Sequence, residues 1–176
     1  LGDLCRAAED TEPILHSFKN TQQLRVGVRD ILRKSDVQET TGLLADIAET
    51  CLRQITRQEY GKLVKRLGEP IIPEGPRAGH VAELAIVAMG KFGGRELNYH
   101  SDLDIIFLYE ADGGTQHRRR THRSHEITSN QHFFGELGQR IIKVASLLGP
   151  LGRLYEVDTR LRPTGRNGPL ATSLPE

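Results

Sequence analysis

The sequence predicts an α+β fold, a helical N-terminal part followed by a region of short strands and helix, and three observations point there. Between residues 22 and 67, apolar residues recur at helical spacing. Gly68, Pro70, Pro73, Gly75, Pro76 and Gly79 then interrupt any helix. Beyond them lie apolar runs of strand length at 83–89, 104–109 and 154–161, with an amphipathic segment between the last two.

Taken in order, residues 22–32 read as one helix and 39–67 as a longer one, bent near Gly61. The long helix carries Leu43, Leu44, Ile47, Cys51, Ile55, Leu63, Val64 and Leu67 at helical intervals. The Gly/Pro stretch is a linker, so the expected division is a helical extension plus linker over 1–76 and a core over 77–176. Residues 83–89 are a buried strand, 104–109 a second and 154–161 a third. Phe133, Phe134, Leu137, Ile141, Ile142, Ala145 and Leu148 mark a helix, with Ser129 or Asn130 as its N-cap. The segment His117-Arg118-Arg119-Arg120-Thr121-His122-Arg123-Ser124-His125 reads as a solvated loop, with contact to a phosphate or an acidic partner as the alternative. No internal repeat is visible.

Composition bounds the function. A chain of 176 residues holds one medium domain, or a compact domain with a helical extension. Hydrophobic residues at 37% against 27% charged are enough for a packed core and argue against disorder. A net charge of +1 gives no global case for nucleic acid or for a membrane surface as partner. Cys5 and Cys51 stand far apart, outside any CxxC or Cys/His spacing, which favours a reduced, cytoplasmic setting. No signal peptide and no membrane-spanning apolar run is present. The chain starts at Leu1 and stops after Ser173-Leu174-Pro175-Glu176, and is expected to be a C-terminally truncated piece of a longer protein.

The chemistry concentrates in Phe92-Gly93-Gly94-Arg95-Glu96-Leu97-Asn98-Tyr99-His100-Ser101-Asp102-Leu103-Asp104-Ile105. Adjacent glycines make a loop able to approach a polyphosphate closely. Residues i and i+2 of a strand share a face, so Asp102 and Asp104 present paired carboxylates roughly 7 Å apart at the backbone. In Leu154-Tyr155-Glu156-Val157-Asp158-Thr159-Arg160-Leu161-Arg162, alternation would put Glu156, Asp158, Arg160 and Arg162 on one face. With the two strands side by side, Asp158 completes a three-carboxylate cluster for two divalent ions about 3.5–4 Å apart. Asp158 is also placed to take the proton of an attacking hydroxyl, and Arg160 and Arg162 to neutralise charge on a pyrophosphate. The pattern reads as nucleotidyl transfer. Mg²⁺ is the expected ion, and Mn²⁺ is equally compatible with carboxylates.

Taken singly, each part has a plain structural reading: a turn for the glycines, a strand start for the paired aspartates, a cross-strand ion pair for Asp158. The ordered combination is what carries the signal, because three converging carboxylates without a cation repel one another. Gly90-Lys91-Phe92-Gly93-Gly94 fits neither the P-loop nor the dinucleotide-fold order, and no GxSxG is present.

Met89-Gly90-Lys91-Phe92-Gly93-Gly94-Arg95-Glu96-Leu97-Asn98 with Ser101-Asp102-Leu103-Asp104 closely resembles the glutamine synthetase adenylyltransferases. So does Tyr155-Glu156-Val157-Asp158-Thr159-Arg160-Leu161-Arg162-Pro163-Thr164-Gly165-Arg166-Asn167-Gly168-Pro169-Leu170, and the likeness covers most of residues 20–173. The resemblance implies a nucleotidyltransferase-fold core, a small mixed sheet flanked by helices, with an N-terminal α-helical extension. It implies an ATP-dependent enzyme that attaches AMP to a tyrosine hydroxyl of glutamine synthetase, under control of nitrogen-signalling regulatory proteins that act elsewhere on a full-length chain. By motif, Asp102, Asp104 and Asp158 would be the metal carboxylates and Gly93 and Gly94 the phosphate loop, with Lys91, Ser101, Arg160 and Arg162 at the nucleotide. Family members carry two such domains, one adenylylating and one removing AMP by phosphorolysis. Gln22-Gln23-Leu24-Arg25-Val26 and Leu154-Tyr155-Glu156-Val157-Asp158 look more like the adenylylating copy. Competing expectations are another acceptor, a non-catalytic nucleotide-sensing domain, and nucleic-acid binding through residues 118–123.

Overall fold

The structure, a computed structural model, describes residues 11–117, 127–163, 165 and 167–174. Helices α1 (Thr11–Ile31) and α2 (Val37–Leu67) open the chain. Strand β1 (Glu69–Ile71), strand β2 (Leu84–Ala88), the helical turn α3 (Gly90–Gly93), strand β3 (Leu103–Tyr109) and strand β4 (Gly114–Gln116) follow. Helix α4 (Asn130–Ser146) and strands β5 (Val157–Asp158) and β6 (Ala171–Ser173) complete the described order. The architecture is the expected mixture of a helical N-terminal part and a small mixed sheet flanked by helices.

Among the described residues one sheet has four strands, ordered β2-β3-β5 with β6 also paired to β3. Both β5 and β6 run parallel to β3, the first against Leu103 and Asp104, the second against Phe107–Tyr109. A second pairing joins β1 to β4, antiparallel, with Pro70 opposite Thr115. The stretch expected as a linker therefore contains a strand. Three residues with a central proline are too short to show alternation, and proline suits a two-stranded edge.

Several boundaries move for identifiable reasons. Helix α1 starts well before residue 22, because its inner face carries His16, Lys19, Gln22 and Gln23 beside the buried Leu15 and Val26. Polar residues on an inward face hide the apolar period. Helix α2 begins at Val37, where the Asp36 carboxylate accepts the Glu39 N–H at 2.7 Å. For α4 the cap is Ser129, whose hydroxyl accepts the His132 N–H at 3.2 Å. Asn130 instead donates its side-chain amide to the carbonyls of Ile71 and Ala111, at 3.1 and 3.0 Å.

Contacts divide the chain into two compact units. The first comprises residues up to Thr56, Ala88–Asp104 and Ile142–Asp158; the second comprises Arg57–Val87, Ile105–Ile141 and residues from Thr159 onward. The first unit packs Leu15, Leu44, Ala48, Cys51, Leu52, Phe92, Leu97, Leu103 and Leu154. Cys51 is free, and burial pushes its thiol up to about 12 against the opposing charge of Lys19, so it holds no reactive thiolate. Cys5 lies outside the described residues. The second unit is built on an aromatic cluster, with Tyr109 stacked on Phe134 at 5.0 Å and Phe133 edge-on to Phe134 at 5.3 Å.

Candidate active site

The site belongs to the first unit and begins with the pleat of β3. Burial alternates along that strand, with Leu103, Ile105, Phe107 and Tyr109 inward. Asp104 therefore lies on the opposite face, free of the apolar core. The parallel register sets Asp104 directly beside Asp158 of β5, and the Leu103 N–H extends the ladder to the Glu156 carbonyl at 2.8 Å. Asp102 immediately precedes the strand, two residues from Asp104. Ligand oxygens of Asp102, Asp104 and Asp158 all lie within 4.8 Å of one another. Asp102 is exposed and the other two are half-buried.

This donor set fits a hard divalent cation. Oxygens around one octahedral Mg²⁺ at ~2.1 Å stand ~3 Å apart when adjacent and ~4.2 Å when opposite. A span reaching 4.8 Å matches a shell of that size with small adjustment, or a bridge between two ions. Three carboxylates this close repel each other, and a cation relieves that repulsion.

Glycine makes the geometry possible, at a position the sequence reading passed over. Gly90 has φ +52°, and a Cβ placed on it would stand 2.5 Å from Asp104 Oδ2. A side chain there would be strained by the backbone and would displace the carboxylate. The legible sign was a glycine directly after an apolar strand, overshadowed by the Gly93-Gly94 pair. At Gly93 a Cβ would stand 2.5 Å from the Ala88 carbonyl oxygen, so the turn packs against the end of β2. Gly93 ends the helical turn and Gly94 caps it with ordinary φ −76°, so the pair forms part of a closed turn rather than an open loop. Lys91 is exposed on that turn. The Ser101 hydroxyl accepts the Asn98 N–H at 3.0 Å and closes the bend that delivers Asp102.

The third strand is shorter than expected. Strand β5 ends at Asp158, so the pleat no longer directs the residues after it, contrary to the expected strand 154–161. Glu156 is exposed and pairs with Arg153 at 3.0 Å. Arg160 and Arg162 belong to the second unit, where the Arg162 guanidinium donates to the carbonyls of Thr159 and Gly168. Residues 118–126 of the His/Arg segment, and Thr164 and Arg166 of the second motif, lie outside the described residues. No helix among the described residues is long and apolar enough to cross a membrane.

Comparison with known proteins follows the same residues. The family model described as glutamate-ammonia ligase adenylyltransferase matches residues 3–175. A bifunctional glutamine synthetase adenylyltransferase/adenylyl-removing enzyme of Burkholderia mallei is 43% identical over 150 residues, covering 85% of this chain and 15% of that protein. Proteins of the same name from Thioalkalivibrio sulfidiphilus and Pseudomonas aeruginosa are 38% and 34% identical, over 94% and 96% of this chain and 16% of each relative. The chain thus spans about a sixth of the length of the curated relatives it matches. With both long motifs inside a match running nearly end to end, the chain belongs to the glutamate-ammonia ligase adenylyltransferase family.

Proposed function

We propose that this domain transfers AMP from ATP to a tyrosine hydroxyl of glutamine synthetase. The observation that carries the reading is the convergence of Asp102, Asp104 and Asp158 beside a glycine turn, in a chain of this family. In the reaction the tyrosine oxygen bonds to the α-phosphorus, the bond from that phosphorus to the pyrophosphate oxygen breaks, and the hydroxyl proton is released. Divalent ions bound there, Mg²⁺ or Mn²⁺, would neutralise phosphate oxygens and make the hydroxyl more acidic. Asp102, Asp104 and Asp158 would hold them. Asp158 also accepts the hydroxyl proton. The exposed turn with Lys91, Gly93 and Gly94, followed by Ser101, takes the triphosphate, while Arg160 and Arg162 balance charge on the leaving pyrophosphate. The helical part over 1–76 is an extension to a core over 77–176. The setting is cytoplasmic, and nitrogen-signalling proteins act through other parts of a longer chain.

The relatives' printed name joins adenylyl transfer with adenylyl removal, so phosphorolytic removal of AMP is the second reading. Label from α-labelled ATP, with Mg²⁺ and purified glutamine synthetase, separates the two. Metal-dependent labelling that Asp104→Asn abolishes, in a chain that still folds, is the expected result. No labelling, together with phosphate-dependent release of ADP from adenylylated synthetase, would assign the removing activity instead. Labelling undiminished in the variant would remove the paired aspartates from the chemistry.

A further inference from the structure

Arg95 occupies a position that its backbone does not favour. The turn α3 ends with the Glu96 N–H on the Lys91 carbonyl at 2.7 Å and the Arg95 N–H on the Phe92 carbonyl at 3.2 Å. That pair of bonds is a Schellman closure, in which the residue in Arg95's place adopts the left-handed conformation and is most often glycine. Arg95 has φ +58°. Two glycines stand immediately before it, at Gly93 and Gly94, in positions where a left-handed conformation is not required. The sequence therefore places its glycines one residue early and sets an arginine where glycine would cost least.

The side chain supplies the compensation. One guanidinium nitrogen donates to Asp46 Oδ1 at 2.6 Å and to the Gly42 carbonyl at 3.2 Å, both on α2. The two charged side chains are each about half-exposed, and an ion pair so exposed adds little to global stability. Stability alone thus gives no reason to prefer arginine over glycine here. The segment it belongs to gives one. Residues 94–101 lead directly to Asp102; Leu97 among them is buried, and the Tyr99 hydroxyl lies against α1, 3.5 Å from where a Cβ on Gly27 would stand. Arg95 is the first tether of that segment, Leu97 and Tyr99 the next, and Asp102 hangs from the last bend.

We infer that Arg95 is a positioning residue, which through Asp46 and Gly42 fixes the segment between the glycine turn and Asp102 and so sets the distance of Asp102 from Asp104 and Asp158. The inference rests on the proposed reading of these carboxylates as a divalent-cation site. It makes the α1–α2 pair the platform on which the most exposed ligand of the cluster is aimed.

The test uses the whole chain and variants Arg95→Gly, Asp46→Asn and the exchanged pair Arg95→Asp with Asp46→Arg. Arg77→Ala serves as control, since it breaks the part-exposed Arg77–Glu110 ion pair within the second unit. Two readouts are independent of turnover: amide hydrogen exchange over residues 96–102 and the Kd for Mn²⁺. Asp46→Asn should speed exchange there and weaken Mn²⁺ binding roughly tenfold, the lower end of what supporting residues contribute at metal sites. Arg95→Gly should do the same with an unchanged or higher Tm, because the left-handed strain is gone. The exchanged pair should recover most of the Mn²⁺ affinity, and the control should change nothing. Unchanged exchange or unchanged Mn²⁺ affinity in Asp46→Asn would overturn the positioning role. A wild-type chain that binds Mn²⁺ but transfers no AMP would remove the proposed activity and leave the positioning role standing.

Discussion

Asp102, Asp104 and Asp158 were legible because each is a charged residue where a strand pattern asks for something else, and the family motifs reinforced them. Gly90 was legible only as a glycine directly after an apolar strand, since its requirement comes from a carboxylate fourteen residues away that approaches only after β2 and β3 pair. The Met89 N–H on the Asp104 carbonyl, at 2.8 Å, draws the two together. Gly90→Ala should cost ~1–2 kcal/mol for the left-handed backbone alone. It should also weaken Mn²⁺ binding, because the new methyl and Asp104 Oδ2 cannot share one place. Titration calorimetry with Mn²⁺ checks this, and a variant that binds like wild type would contradict the placement of Gly90. The expected strand over 154–161 shows the opposite limit: alternation projects a strand forward, but it does not say where the ladder ends.

Among the elements, those with a strong period were legible. Helix α2, the body of α4 and β3 lie where spacing puts them, because each buries one apolar stripe or face. Strand β2 lies where expected but is not the buried strand expected, since its residues alternate between half-buried and exposed. Three-residue strands β1, β4 and β6 have no room for a pattern and exist through pairing with distant partners. The start of α1 was hidden by polar residues on its inward face. One end signal gave finer detail than periodicity: Ser129, one of two expected caps, is the cap of α4, whereas Asp36, which caps α2, was not read from the sequence. Ser129→Ala should cost about 1 kcal/mol, typical of a lost N-cap. In a chain of this size that is a Tm lower by about 2–4 °C, measurable by calorimetry. Asn130→Ala would lower it further, because Ile71 and Ala111 would each lose a buried donor.

For the whole molecule, the carboxylate cluster couples stability to cations. A ligand that binds only the folded state stabilises it by mass action. Mg²⁺ or Mn²⁺ at about 100 times its Kd adds about 2.7 kcal/mol. The thermal midpoint should therefore rise by several degrees on adding the ion and fall back with chelator. In Asp104→Asn the response to ions should vanish. A wild-type midpoint indifferent to both ions would count against a cation site.

The way the two units are threaded has a practical consequence for dissecting the protein. The chain passes from one unit to the other after Thr56, Val87, Asp104, Ile141 and Asp158, and α2, β2, β3 and α4 are each cut by one of those crossings. Neither unit is a continuous stretch of polypeptide. No choice of start and stop codons yields one of them alone, and a single protease nick cannot release either as an intact fragment. Deletion mapping would report the loss of both together, so point substitutions are the means of assigning separate roles to the two halves.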